Sequence, residues 1–247
     1  MSLIAAALAL ALQAQAAPNP NDWWDAKIQR PAPELEPLAG RRLEGGENLP
    51  TVQNGVDPLL YRLWGLQPLE NQILEPGEVI IEFWRRPALR VRQVVARITV
   101  RRDGKAFIQA RAGLGCCAPE IARRVDINAR LPSSEPFREL ATLPTWDTPS
   151  RVAVLDGKGS IASLCLDGVS WDVTLLTHER SRHLRRACDG AEIGQIVGIL
   201  TPLLAAVRGR DPRIDVLLPR GVDLEADRRA YEAHIAAGGR LEGFKVP

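Results

Sequence analysis

None of the short motifs that announce a catalytic mechanism is present. There is no G-x-S-x-G elbow, no phosphate-binding loop and no H-E-x-x-H pair. Histidine is scarce: the 247 residues hold three, His178, His183 and His234. Lysine is nearly as rare. Lys27, Lys105, Lys158 and Lys245 are 4 of the 32 basic residues, which leaves 28 arginines. A nucleic-acid surface needs an excess of positive charge on one face. Here 32 basic residues meet 30 acidic ones for a net +2, with the arginines spread along the chain, so no nucleic-acid partner is expected. The arginine bias fits a GC-rich coding preference better than a phosphate-binding surface. No apolar run approaches the about 20 residues that cross a bilayer, so no transmembrane segment is expected either.

What is present is ordinary globular material: 45% hydrophobic and 25% charged residues, in a chain long enough to bury a core. The first residues, MSLIAAALALALQAQAAPNP, hold an uncharged apolar run from residue 3 to 12 and then Ala14-Gln15-Ala16. This is similar to a secretory signal peptide with a small-x-small cleavage site, although it lacks the usual basic start. We therefore divide the chain into a signal peptide (1–16), an extended, weakly ordered arm (17–56) and a single domain (57–247). The expected location is the bacterial periplasm or the exterior. The arm is rich in Pro, Gly, Asn and charge. Its tandem Trp23-Trp24 is the place where a protein partner could dock.

Export changes the reading of the cysteines. An oxidising compartment and an even count, Cys116, Cys117, Cys165 and Cys188, suggest disulfides. The adjacent pair Cys116-Cys117 lies in GLGCCAPEIARRV, between a glycine turn and an apparent helix start at Pro119-Glu120. A thiol at a helix N-terminus is acidified and reactive, and two thiols together suit a soft metal. However, the familiar redox spacing Cys-x-x-Cys and the paired ligands of a zinc site are both missing.

Alternation of apolar and polar residues marks the strands. EVIIEFW (78–84) is one, and 94–110 forms a hairpin turning at Asp103-Gly104. The segments RVAVL, SIASLCL, SWDVTLL and RHLRRAC predict a four-stranded meander from Arg151 to Cys188. In such a meander Cys165 and Cys188 sit two strand spacings apart, about 9.6 Å. A disulfide needs Cα atoms within about 7 Å. That geometry favours joining each of them to one of Cys116 and Cys117. A Cys165–Cys188 bond, with Cys116–Cys117 vicinal or free, is the next solution, and four working thiols the last.

Helices are expected after Asp57, around LPSSEPFREL with Ser134 as cap, and from Asp189 to about Val207. The last of these has Glu192 in a capping-box position and a kink at Pro202. Its glycines 190, 194 and 198 form a smooth stripe suited to packing on the sheet. RIDVLLP (213–219) reads as a strand, and a final helix runs from 223 to 237, capped by Asp223 and stopped by Gly238-Gly239. The expected class is α+β: a mostly antiparallel sheet, hairpin plus meander, with helices on one face.

The remaining polar clusters are weak as sites. His178, His183 and Glu179 flank one turn, but exposed turn histidines seldom bind metal. Asp223-x-Glu225-x-Asp227 begins like a calcium loop, yet Arg228 and His234 stand where its Gly and final Glu belong. No catalytic, cofactor-binding or metal-binding residue can be named. The reading is an exported, disulfide-stabilised protein acting by binding or as an envelope component. The alternative is a thiol-redox or soft-metal protein using Cys116 and Cys117.

Overall fold

A computed structural model of the chain describes residues 35–36, 41–42, 52, 54–87, 92–114, 122–162, 168–218 and 222–243. Strands β1 (Leu35–Glu36) and β2 (Arg41–Arg42) pair with each other. Helix α1 (Pro58–Trp64) precedes four strands, β3 (Val79–Pro87), β4 (Arg92–Val100), β5 (Ala106–Leu114) and β6 (Ala122–Leu131). Next come α2 (Glu135–Ala141), β7 (Val152–Leu155), β8 (Val169–Thr177) and β9 (Ser181–Ala187). The last part holds α3 (Gly190–Gly194), α4 (Val197–Arg208), α5 (Arg213–Leu217), α6 (Leu224–Ala236) and β10 (Arg240–Gly243). The fold is α+β.

The expected hairpin, β4–β5, lies inside an antiparallel sheet of six strands in the order β6-β5-β4-β3-β8-β9. Its period of two sorts the side chains onto opposite faces. Val79, Ile81 and Phe83 of β3, with Val94, Ala96 and Ile98 of β4, point into a core closed by Leu200, Leu203, Leu204 and Val207 of α4. The helices therefore cover this face, as the apolar stripe of 196–207 requires.

The opposite face carries Ile80, Glu82 and Trp84 of β3. It is covered as well, by residues 52–74. Val52, Val56, Tyr61, Trp64, Leu66, Leu69 and Leu74 pack there on Ile80, Trp84, Val95 and Leu176 as a second core. Burying this face sequesters charge. Glu82 is fully buried and Arg97 is 2% exposed, and the two pair at 2.6 Å. Glu82 also accepts hydrogen bonds from Tyr61 Oη (2.5 Å) and Trp84 Nε1 (2.7 Å).

Several local expectations change in the fold. The region after Pro119 supplies strand β6 rather than a helix: Val125 and Ile127 alternate with exposed residues and face the core. The four-stranded meander does not form. β8 and β9 pair in the large sheet, but β7 leaves it to pair with β10 (Val152↔Gly243 to Leu155↔Arg240), with one bridge to Ile161. The strand spacing from which the Cys165–Cys188 distance was reckoned is therefore not found among the described residues. RIDVLLP contains the helix α5, because Ile214 and Leu218 lie four apart and both reach the core. The long helix breaks at Gln195-Ile196 into α3 and α4, while Pro202 is accommodated within α4.

Capping is only partly as read. Asp189 accepts from Ala191 N at 2.7 Å and Asp223 from Ala226 N at 3.0 Å. Ser134 makes no side-chain cap; Ser133 Oγ instead accepts from Glu135 N. Glu192 interacts with the Ala187 backbone amide, and burial pushes its carboxyl up to about 7. A carboxyl raised in the folded state favours folding fully below its unfolded value, near 4.3, and that advantage is lost as pH rises through the folded one. The melting temperature should therefore fall between about pH 4 and 7, and Glu192→Gln should flatten the decline. Parallel curves for the two proteins would refute this.

Candidate functional site

Strand β3 ends in Trp84-Arg85-Arg86, and the pleat sends the two arginines to opposite faces. Arg86 turns to the face covered by residues 52–74, where its Nη2 pairs with Asp172 at 2.6 Å. Arg85 turns to the helix-covered face, in register with Val79, Ile81 and Phe83. Directly across on β8 is Trp171, and Arg186 of β9 follows in the same row. The Arg85 guanidinium lies 5.7 Å from the centre of the Trp171 ring.

Arg85 and Arg186 are a natural comparison. Both are buried, at 5% and 0% exposure, and burial pulls each down to about 10. Arg186 is fully engaged. It donates to Gln195 Oε1, Thr148 Oγ1 and the carbonyls of Pro149, Ser150 and Arg185, at 2.8–3.0 Å. Those bonds tie β9 to the 148–150 turn, a structural role. Arg85 has no such set: its Nε and Nη1 are buried without a hydrogen-bond partner. A buried cation without a partner costs several kcal/mol, and a cation–π contact returns only about 2.

Arg85 opens into a cleft of about 240 Å³. Val169 and Trp171 line its sheet side, Ile193 of α3 one wall, and Val222 and Asp227 the other. Cys188 stands at the corner. The wall is positioned by the glycine stripe, although not against the sheet as expected. A Cβ on Gly194 would lie 2.2 Å from the Asp227 carbonyl and 2.5 Å from Tyr231 Cβ, so only glycine lets α3 seat against α6. Gly190 meets Ala230 and Asp227 of the same helix, and Gly198 meets nothing. Burial, with Asp223 and Asp189 nearby, raises the Asp227 carboxyl above its ordinary value.

Of the four cysteines, Cys188 is disulfide-bonded and borders this cleft. Cys116, Cys117 and Cys165 lie outside the described residues, as do Trp23 and Trp24, so the pairing scheme and the docking arm cannot be placed. Cys188 adopts a left-handed backbone (φ 60°) where β9 turns into α3. His178 and His183 do not converge. His178 Nδ1 is 2.7 Å from the Leu74 carbonyl. Among the described residues, no three His, Cys, Asp or Glu side chains are grouped to hold a metal.

His183 instead brings together a serine and an aspartate that the sequence could not connect. Its Nδ1 lies 3.2 Å from Ser150 Oγ and its Nε2 3.4 Å from Asp172 Oδ1. The row resembles a hydrolytic triad only in composition. The His183–Asp172 contact is not aligned as a hydrogen bond, and Asp172 is already paired with Arg86. A triad aspartate must instead hold the imidazole and stabilise its positive form. Burial alone would raise the Asp172 carboxyl, but the His183 contact and the Arg86 charge together draw it below its ordinary range.

Neither Arg85 nor Asp172 was singled out from the sequence. A signal did exist: in EVIIEFWRRP, Arg85 occupies the fourth position of the inward series Val79, Ile81, Phe83, where an apolar residue belongs. No family model matches the chain, and no match was found among curated proteins or solved structures.

Proposed function

We propose that this chain is an exported, disulfide-stabilised bacterial protein that works by binding, without catalysis, as an envelope component. The observation that carries the binding reading is Arg85: a buried guanidinium with two unpartnered nitrogens, at a cleft lined by both apolar and polar groups. A concave site in which a few polar groups converge beside apolar side chains is the usual setting of a small ligand. The Ser150–His183–Asp172 row does not have the alignment that acyl transfer requires, which favours binding over hydrolysis. Export is supported by the leader-like run at residues 3–12 and by the disulfide at Cys188, since such bonds persist in oxidising compartments. Among the described residues no helix is long and apolar enough to cross a membrane.

Thiol labelling and non-reducing peptide mapping of protein purified from the bacterial envelope test this reading. The expected result is no labelled thiol, a Cys188 peptide linked to one of the other three cysteines, and a mature N-terminus near Ala17. Rapid labelling of Cys116 and Cys117, or their reversible closure on each other, would replace the reading with the thiol-redox or soft-metal alternative. An uncleaved leader in a reducing compartment would remove export.

A further inference from the structure

Building on the binding reading above, we propose that the cleft beside Arg85 takes a small organic monocarboxylate with an apolar body, the carboxylate anchored by Arg85 and the body lying on Trp171. Three observations define this class. The first is the uncompensated donor set. Nε and Nη1 of Arg85 lack acceptors, and among the described residues no ionised group offsets the effect of burial on this guanidinium. A ligand carboxylate supplies both the counter-charge and the missing acceptors, and such charge-assisted bonds are the strong ones.

The second is the lining. Val169, Trp171, Ile193 and Val222 place apolar side chains along the cleft, beside the polar surface that makes up most of its lining. A bare anion would leave the Trp171 ring and its apolar neighbours wet, whereas an organic body lying on that ring covers them. At about 240 Å³ the cleft lies below the roughly 300–1,000 Å³ typical of drug-sized ligands, so the occupant is of metabolite size.

The third is the charge on the facing elements. Asp227 of α6 shares the cleft, and Asp223 and Asp189 stand close enough to raise its carboxyl. Arg186, the other buried cation of this row, is saturated by its own acceptors. A phosphate dianion would thus meet one available arginine and a carboxylate in the same cleft. A single negative charge suits the site, and a second does not.

Isothermal titration of the full-length protein with 3-phenylpropanoate, its neutral analogue 3-phenylpropanamide and inorganic phosphate tests the assignment. The carboxylate should bind once per chain and about tenfold or more tighter than the amide, as expected for a bond to a charged partner. Arg85→Gln should reduce the carboxylate to the affinity of the amide and leave the amide unchanged. The comparison of ligands on the unaltered protein decides the matter even if that variant misfolds. Equal binding of carboxylate and amide would overturn the carboxylate assignment while leaving a binding cleft. Tighter, Arg85-dependent binding of phosphate would overturn the ligand class. Failure of every probe to saturate would overturn the proposal and the binding reading together.

Discussion

Replacing Glu82 with alanine should cost about 3–5 kcal/mol of folding stability, the typical penalty for stranding one member of a buried ion pair. Glu82 is the common acceptor of a closed network on the sheet face covered by residues 52–74. Arg97 donates to it from Nε at 2.7 Å and brings Nη2 to 2.6 Å of the same oxygen, and Tyr61 and Trp84 share its other oxygen. Burial and the Glu82 charge hold the Tyr61 hydroxyl well above its ordinary value, so it remains a donor. Asn54 in turn donates to that hydroxyl at 2.6 Å. Without Glu82, Arg97 keeps the Gln67 carbonyl at 2.7 Å and the Tyr61 ring, but no counter-charge.

The network also links α1 to the sheet, so the damage should be local before it is global. In Glu82→Ala, amide exchange should accelerate first in residues 54–66. Because the pair is dry, 1 M salt should change the penalty little. The double variant Glu82→Leu with Arg97→Met should regain most of the loss, because an apolar pair of similar volume removes both desolvation costs. Urea denaturation measures all three proteins. A loss below about 1 kcal/mol for Glu82→Ala, or a double variant as unstable as the sum of the singles, would show that the network does not hold the layers together.

Gly194→Ala should be the second large effect, and Gly198→Ala should have the opposite sign. At Gly194 the new methyl would overlap the Asp227 carbonyl and Tyr231 Cβ. Backbone cannot rotate aside, so α6 must move away from α3. The cost is about 1–3 kcal/mol from overpacking, beyond the roughly 1 kcal/mol that alanine returns through helix propensity. The displacement would also carry Asp227 and the cleft wall with it, so binding of 3-phenylpropanoate should weaken in the same variant. At Gly198 nothing lies within 4 Å of an added Cβ. The propensity gain acts alone there, and a stabilisation of about 0.5 kcal/mol is expected. Thermal melting distinguishes the two. Equal effects at both positions would mean that the stripe has no role in seating α6.

The elements that were legible in the sequence are those whose signal is local. Alternation over 94–110 with Asp103-Gly104 at the turn yields β4 and β5, because a period of two with one buried face admits a single register. Asp57-Pro58, Asp189 and Asp223 mark helix starts because an acceptor side chain and a missing N–H act on the next few residues only. The α+β class and its antiparallel sheet follow from summing such signals, but the expected confinement of helices to one face does not hold, because α1 packs Tyr61 and Trp64 on the other.

Other features were decided by distant partners. RIDVLLP has the apolar content of a strand, and only the core above β4 and β5 selects the helical spacing of Ile214 and Leu218. RVAVL alternates as a meander strand should, yet its mate is β10, 85 to 91 residues away from Leu155↔Arg240 to Val152↔Gly243. The glycine stripe was visible as a small-residue surface. Its partner, α6, could not be read because a stripe specifies close approach and not what approaches.

The candidate site divides in the same way. The sequence showed that Cys188 ends a strand and that serine, histidine and aspartate all occur, and it held an unused signal in Arg85, which stands where the apolar series Val79, Ile81, Phe83 would continue. Tertiary structure alone decided their consequences. It gave Arg186 five acceptors and left two nitrogens of Arg85 with none, although both arginines lie on the same face in one row. It also set Ser150, His183 and Asp172 side by side and then bound Asp172 to Arg86. The reason is physical: whether a buried charge is satisfied depends on groups that folding brings from elsewhere in the chain, and a pattern of period two or 3.6 carries no record of them.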